Sequence, residues 1–240
     1  MDRIPGCVLL VTPHEDDAEG GCGGTVALWA KAGTRIVYVL CTNGDKGSGD
    51  PEMTSELLAD VREREQIDAA RVLGSDDVVF LRHPDGELED TLEVRRQIVR
   101  EVRRYKPDIV LCVDPFRSTT HTHRDHRMSG MMAMDAAFTY AWSPLHFPEQ
   151  IEREDLQPHR VKAVYLWGSE EPDTYVDISE SIDLKIQALA KHESQISDIE
   201  TFQGWVRNWA KQAGEKAGVR YAEGFRRLSL HPNVFHWAEY

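Results

Sequence analysis

The chain has 240 residues, 41% of them hydrophobic and 29% charged, and a formal net charge of −13. That excess of carboxylates argues against a nucleic-acid partner, whose phosphates need a basic footprint, and against an anionic membrane surface. No stretch approaches about 18 uncharged apolar residues, the N-terminus lacks the basic and apolar segments of a signal peptide, and the four cysteines form no CxxC pair, so the expectation is a reduced, cytoplasmic protein.

Val8 to Val11 is a short continuous apolar run, the pattern of a strand buried on both faces. A glycine-rich turn over Gly20 to Gly24 is expected next, then a helix from Thr25 to Ala32 closed by Gly33. Arg35 to Cys41 is a second β-branched run, and Thr42 to Pro51 is a loop by its Gly, Asn, Asp and Pro content. Ser55 to Leu73 reads as a charged amphipathic helix, Val78 to Leu81 as a strand, Asp85-Gly86 as a turn and Thr91 to Tyr105 as a helix. Ile109 to Val113 is a fourth buried strand, and His126 to Tyr140 a helix whose Met and Ala face suits a core. Trp142 to His159 is expected to be an extended loop, Val161 to Trp167 a strand, and Asp177 to His192 a helix. Beyond Ser194 the pattern is mixed and places no element. Strands alternating with helices imply a single α/β domain, residues 1–240, with a Rossmann-like, mostly parallel sheet flanked by helices. Ligands of such sheets bind outside the carboxyl ends of the strands.

Two clusters follow directly on strand ends. In Thr12-Pro13-His14-Glu15-Asp16-Asp17, an imidazole and three carboxylates share four consecutive positions. Like charges so close repel, which a divalent cation relieves. His14 and Asp17 lie three apart, so one turn of chain can aim both at one ion while Asp16 points elsewhere. Thr119 to Arg127 holds His121, His123, Asp125 and His126, with His123 and His126 again three apart. Either cluster alone could be a solvated loop or a helix cap; two on one rim point to a composite metal site. A dinucleotide site is disfavoured, because three carboxylates would sit beside the pyrophosphate and no acidic residue ends the second strand.

His14, Asp17 and one of His121, His123 or His126 would supply three ligands. A zinc ion so held keeps a position open for water, lowers the pKa of that water and polarises a carbonyl. Asp16, near the ion but not on it, is placed to act as general base, and a second histidine to stabilise the oxyanion or protonate the leaving amine. These are the parts of an amide or ester hydrolase.

Pro13-His14-Glu15-Asp16-Asp17 with Gly20 to Gly24, and His123-Arg124-Asp125-His126-Arg127 later, resembles the PIG-L/LmbE-like N-acetylglucosaminyl deacetylase family. Thr42-Asn43-Gly44, Arg62, Glu65, Asp85-Gly86, Val176 to Ser179, His192 to Gln195 and Tyr221-Ala222-Glu223 match further landmarks in order, so the resemblance spans most of the chain. It implies zinc, or another divalent metal such as Fe2+, on His14, Asp17 and His126. It implies Asp16 as base, His123 as acid or electrophile, Asp125 as the residue orienting a histidine, and Arg62 and Asp85 as sugar contacts. The implied partner is a small-molecule N-acetylated amino sugar, with diacetylchitobiose-type and glucosaminyl-inositol or glucosaminyl-malate substrates all open; a homo-oligomer is compatible.

Glu15 and Arg124 stand where relatives usually carry proline. Glu15 thereby becomes a competing ligand, and Arg124 a partner for it or for an anionic substrate group. Another metallohydrolase, or a non-catalytic metal protein whose site is closed by His121 or Glu15, are the alternatives.

Overall fold

A computed structural model of the chain describes residues 4–75, 77–120 and 122–229. Its centre is a seven-stranded sheet in the order β3-β2-β1-β4-β5-β7-β6. The strands are β1 (Cys7–Thr12), β2 (Arg35–Thr42), β3 (Asp77–His83), β4 (Ile109–Val113), β5 (Ala163–Trp167), β6 (Thr174–Asp177) and β7 (Ala222–Ser229). The first five run parallel, while β7 lies antiparallel between β5 and β6. The apolar runs become strands because both faces are covered: Val8, Leu9, Leu10 and Val11 are fully buried, as are Val110, Leu111 and Cys112 in β4. The covering helices are α1 (Asp17–Lys31), α2 (Ser55–Val72), α3 (Leu92–Tyr105), α4 (Arg124–Asp135), α5 (Pro148–Glu154), α6 (Ile182–Leu189) and α7 (Ile199–Ala217). The fold is the expected single-domain α/β arrangement. Among the described residues, no helix is long and apolar enough to cross a membrane.

Several elements differ from expectation. The glycines at 20 to 24 are not a turn. Helix α1 starts at Asp17 and runs through them, bending at Cys22, where φ is −145°. Its glycines serve close packing: a Cβ at Gly21 would overlap the Trp167 ring, and one at Gly24 would come within 2.8 Å of Ile178. At the bend, the amides of Gly24 and Thr25 donate to the Glu223 carboxylate at 3.0 and 2.7 Å. Lys185 donates to the same carboxylate at 2.6 Å and to the Gly20 carbonyl at 2.8 Å. A buried ion pair thus caps the second half of the helix, doing what a side-chain N-cap does at an ordinary helix start.

Helix α4 starts two residues before His126 and passes at Asp135 into a π-helical turn, Ala136–Tyr140. The expected loop from Trp142 to His159 contains α5, opened by Pro148 at its first position. The expected helix from Asp177 is shorter. Asp177 ends β6, its carboxylate accepts from the Ser179 amide at 2.9 Å, and α6 begins only at Ile182.

The strand order reverses between β1 and β4, the switch point where loops part to leave a crevice. The loops after β1, β2, β3 and β4 all open there and are tied together. Thr42 donates through its amide and hydroxyl to the Pro13 carbonyl, Asn43 donates to the His83 carbonyl, and the Asp85 amide donates to Asp45 Oδ1 at 3.1 Å.

Candidate metal centre

The β1–α1 loop fixes the first cluster. Asp16 sits at φ +86°, in the left-handed region that a non-glycine residue seldom adopts. This turns the chain sharply between Asp16 and Asp17, sending their side chains in different directions. Asp17 meets two imidazoles: His14 Nδ1 lies 3.1 Å from Oδ2 and His126 Nε2 lies 3.2 Å from Oδ1. His14 Nδ1 or Nε2, an Asp17 oxygen and a His126 nitrogen all lie within 4.8 Å of one another. Among the described residues a second group, His14, Asp85, His123 and Asp125, could also hold a metal, and Asp16 belongs to neither; Arg62 lies 3.8 Å from it.

The far side of His14 is equally defined. Nε2 lies 3.1 Å from Asp125 Oδ2 and 3.1 Å from Asp85 Oδ1. Asp125 is fully buried and accepts from the amides of Gly86 at 2.7 Å and Leu88 at 3.2 Å. It joins the β3–α3 loop to α4 and holds the His14 ring from behind, the arrangement that commonly fixes a metal-binding histidine. His123 caps α4, with Nδ1 accepting from the Asp125 amide at 3.3 Å, which leaves Nε2 to carry the proton. Its ring stands 4.9 Å, centroid to centroid, from His14 and 5.8 Å from His126.

The charges act in concert. Burial would lower the His14 pKa, but hydrogen bonds to Asp125, Asp17 and Asp85 outweigh it and push it up to about 12. Burial would raise Asp17, yet His126 and His14 hold its carboxyl far below the usual range. Asp16 is pushed up to about 7, by burial and then by the Asp17 charge, against the pull of Arg62. Neighbouring carboxyls are thus driven apart, the condition for one to bind while the other exchanges protons. The carboxylates of Asp125, Asp17 and Asp85 that draw a proton onto His14 would equally attract a metal cation. The nitrogen and carboxylate donors of the centre suit zinc, iron and similar divalent ions.

Arg62 is buried and committed to the protein. It donates to the Glu15 carbonyl at 2.8 Å and the Gly44 carbonyl at 3.1 Å, and pairs with the Glu15 carboxylate at 3.2 Å. Glu15 is therefore not a competing ligand: it is fully buried and turned to Arg62, because an unpaired carboxylate could not be held there. Nor does Arg124 pair with Glu15; its neighbour is Glu89, at 3.9 Å. The expectation for His121 lies outside the described residues.

Reading the sequence gave no role to Arg117, which reaches back from the β4–α4 loop to His126 Nδ1 at 3.2 Å and Thr122 Oγ1 at 3.0 Å. It also overlooked the backbone amides of Gly86 and Leu88. Only the Asp85-Gly86 turn hinted that this loop had a fixed shape.

An α/β sheet whose crevice gathers three histidines with the carboxylates of Asp16 and Asp17 offers the donors that metal-assisted hydrolases use. The description "GlcNAc-PI de-N-acetylase" fits residues 9–137 of the chain, and the chain belongs to this PIG-L family of hydrolytic N-deacetylases. It is 36% identical over 230 residues to the diacetylchitobiose deacetylase of Thermococcus kodakarensis, covering 95% of this chain and 84% of that one. It is 28% identical to the probable N-acetyl-alpha-D-glucosaminyl L-malate deacetylase 2 of Bacillus anthracis, over 79% of this chain and 81% of the relative. Its fold matches that of N,N'-diacetylchitobiose deacetylase from Pyrococcus horikoshii with a TM-score of 0.88 and 31% identity, over 96% of this chain and 88% of the other. The chain is accordingly an enzyme of the N-deacetylase class.

Proposed function

We propose that the enzyme removes the N-acetyl group from a small N-acetylglucosamine-containing molecule, with zinc held by His14, Asp17 and His126. The observation that carries this reading is the meeting of His14 Nδ1, from the loop after β1, with the Asp17 carboxylate at the start of α1 and His126 Nε2 in the first turn of α4. Zinc, or Fe2+ on the same donors, supplies Lewis acidity there: it acidifies water and polarises the acetamide carbonyl.

The remaining work falls to the chain. Asp16 takes the proton of the attacking water; a carboxyl pushed up to about 7 accepts it readily and can release it again. His123, with its proton on Nε2, donates a hydrogen bond to the developing oxyanion, and Asp16 passes the proton it took from water to the departing amine. Asp125 keeps the His14 ring in place, and Arg62 braces Asp16 from behind through Glu15 and Gly44. Asp85, beside His14 and close to His123, is the proposed contact for a sugar hydroxyl. The higher identity to diacetylchitobiose deacetylase than to the malate-conjugate deacetylase favours a neutral N-acetylglucosamine disaccharide as substrate.

Acetate release from diacetylchitobiose is the direct test. It should require stoichiometric zinc, stop on chelation and fall at least about 100-fold in Asp16→Ala, the usual scale for a lost general base. Full activity in Asp16→Ala removes the assigned base. Activity only on other amides, esters or phosphoesters replaces the substrate class, and tight metal with no hydrolysis of any kind makes the centre structural.

A further inference from the structure

The mechanism above uses no residue of the β5–β6 connection, yet that segment grips the β4–α4 loop. The Glu170 carboxylate accepts from three consecutive amides, Ser118 at 3.0 Å, Thr119 at 2.7 Å and Thr120 at 2.8 Å. It also accepts from the hydroxyls of Ser118 at 2.9 Å and Thr119 at 2.6 Å. Successive amides converging in this way form a concave anion-binding nest, here filled from within the chain. Those hydrogen bonds hold the Glu170 carboxyl well below the usual carboxylate range, so it is charged at neutral pH.

One more contact braces the same loop: the Asp114 amide donates to the Trp167 carbonyl at 2.9 Å. One residue before the nest stands Arg117, which rests on His126, and shortly after it come Thr122 and His123. A long loop beside a catalytic centre would otherwise sample many conformations, and misplacement by an ångström costs rate steeply.

We propose that Glu170 is a positioning residue: its carboxylate, seated in the amide nest of Ser118 to Thr120, fixes the β4–α4 loop in the shape that presents Arg117 and His123 to the reacting centre. This deepens the deacetylase reading and takes its substrate from it.

The test uses full-length, zinc-loaded protein and the variants Glu170→Ala and Glu170→Gln. With diacetylchitobiose, kcat should fall at least tenfold in Glu170→Ala and less in Glu170→Gln, which keeps one acceptor. The melting temperature and zinc content should hold. Formate, small enough to enter the vacated nest, should restore kcat several-fold in Glu170→Ala while leaving the wild type unchanged or slower. Unchanged kcat in Glu170→Ala overturns the proposal. So does a loss that formate does not relieve, which would mark Glu170 as merely structural. Amide hydrogen exchange of residues 118–120 gives a readout without substrate: it should quicken at least tenfold in Glu170→Ala and slow again with formate. If the wild type releases no acetate from any N-acetylated sugar, the deacetylase reading falls by itself. Exchange then decides the latch, and indifference to the substitution or to formate overturns it.

Discussion

The His14 ring has carboxylates at both nitrogens, Asp17 at Nδ1 and Asp125 with Asp85 at Nε2. Asp125→Asn keeps the shape but removes the charge that holds the ring. Metal affinity should drop about 10- to 100-fold, measured by competition with a chromophoric chelator; unchanged affinity would show that Asp85 alone suffices. Asp16 acts in its deprotonated form, and its pKa is raised to about 7. The rate should therefore be present above that pH and be lost as pH falls through it, giving kcat/KM an acid limb. A bound dication beside Asp17 can only move that limb lower, so a limb above about pH 8 would exclude Asp16 as the base. At this scale the sequence was informative where chemistry depends on residue type and short spacing. His14, Asp16, Asp17, His123 and His126 stood out in this way. Glu15 was misjudged as a ligand because it is buried against Arg62, and burial is not a local property.

Arg103 shows how an element can be set by a single side chain. It is fully buried on α3, and its guanidinium donates to the carbonyls of Ala141, Phe147, Tyr140, Ser143 and His146 and to Gln150 Oε1. It thereby folds the segment between the π turn and α5 back onto α3, a stretch that composition alone read as an extended loop. Arg103→Met would leave several buried carbonyls without donors and should cost about 3 kcal/mol or more. Urea unfolding would read this as a lower midpoint at unchanged slope; a cost below about 1 kcal/mol would mean water replaces the guanidinium. The glycines of α1 teach the same lesson from the other side. Glycine after a strand reads as a turn, but here it lets a bent helix lie against Trp167 and Ile178, with Glu223 from the far end of the chain capping the bend. Nor could β7 be read: beyond Phe225 its residues alternate poorly and are largely exposed, and its place in the sheet comes from pairing with β5 and β6.

For the whole molecule, the metal centre joins segments far apart in sequence; His14 and Asp125 are 111 positions apart. A ligand that binds only the folded chain stabilises it by mass action, about 4 kcal/mol at a thousandfold excess over Kd. Removing the metal should therefore lower the melting temperature by several degrees, and restoring zinc should recover it in calorimetry. Equal melting temperatures with and without metal would mean that the three donors do not share one ion. The sequence by itself determined the class of fold, because apolar runs of strand length alternating with amphipathic helices can bury their faces in few ways. It also determined the chemistry within reach, because histidines and carboxylates three apart after strand ends carry their meaning locally. Only the tertiary structure decided which carboxylates face the centre and which are neutralised behind it, where the glycines pack, and what holds the β4–α4 loop. Those outcomes depend on burial and on partners more than a hundred residues away in some cases, and no local pattern encodes either.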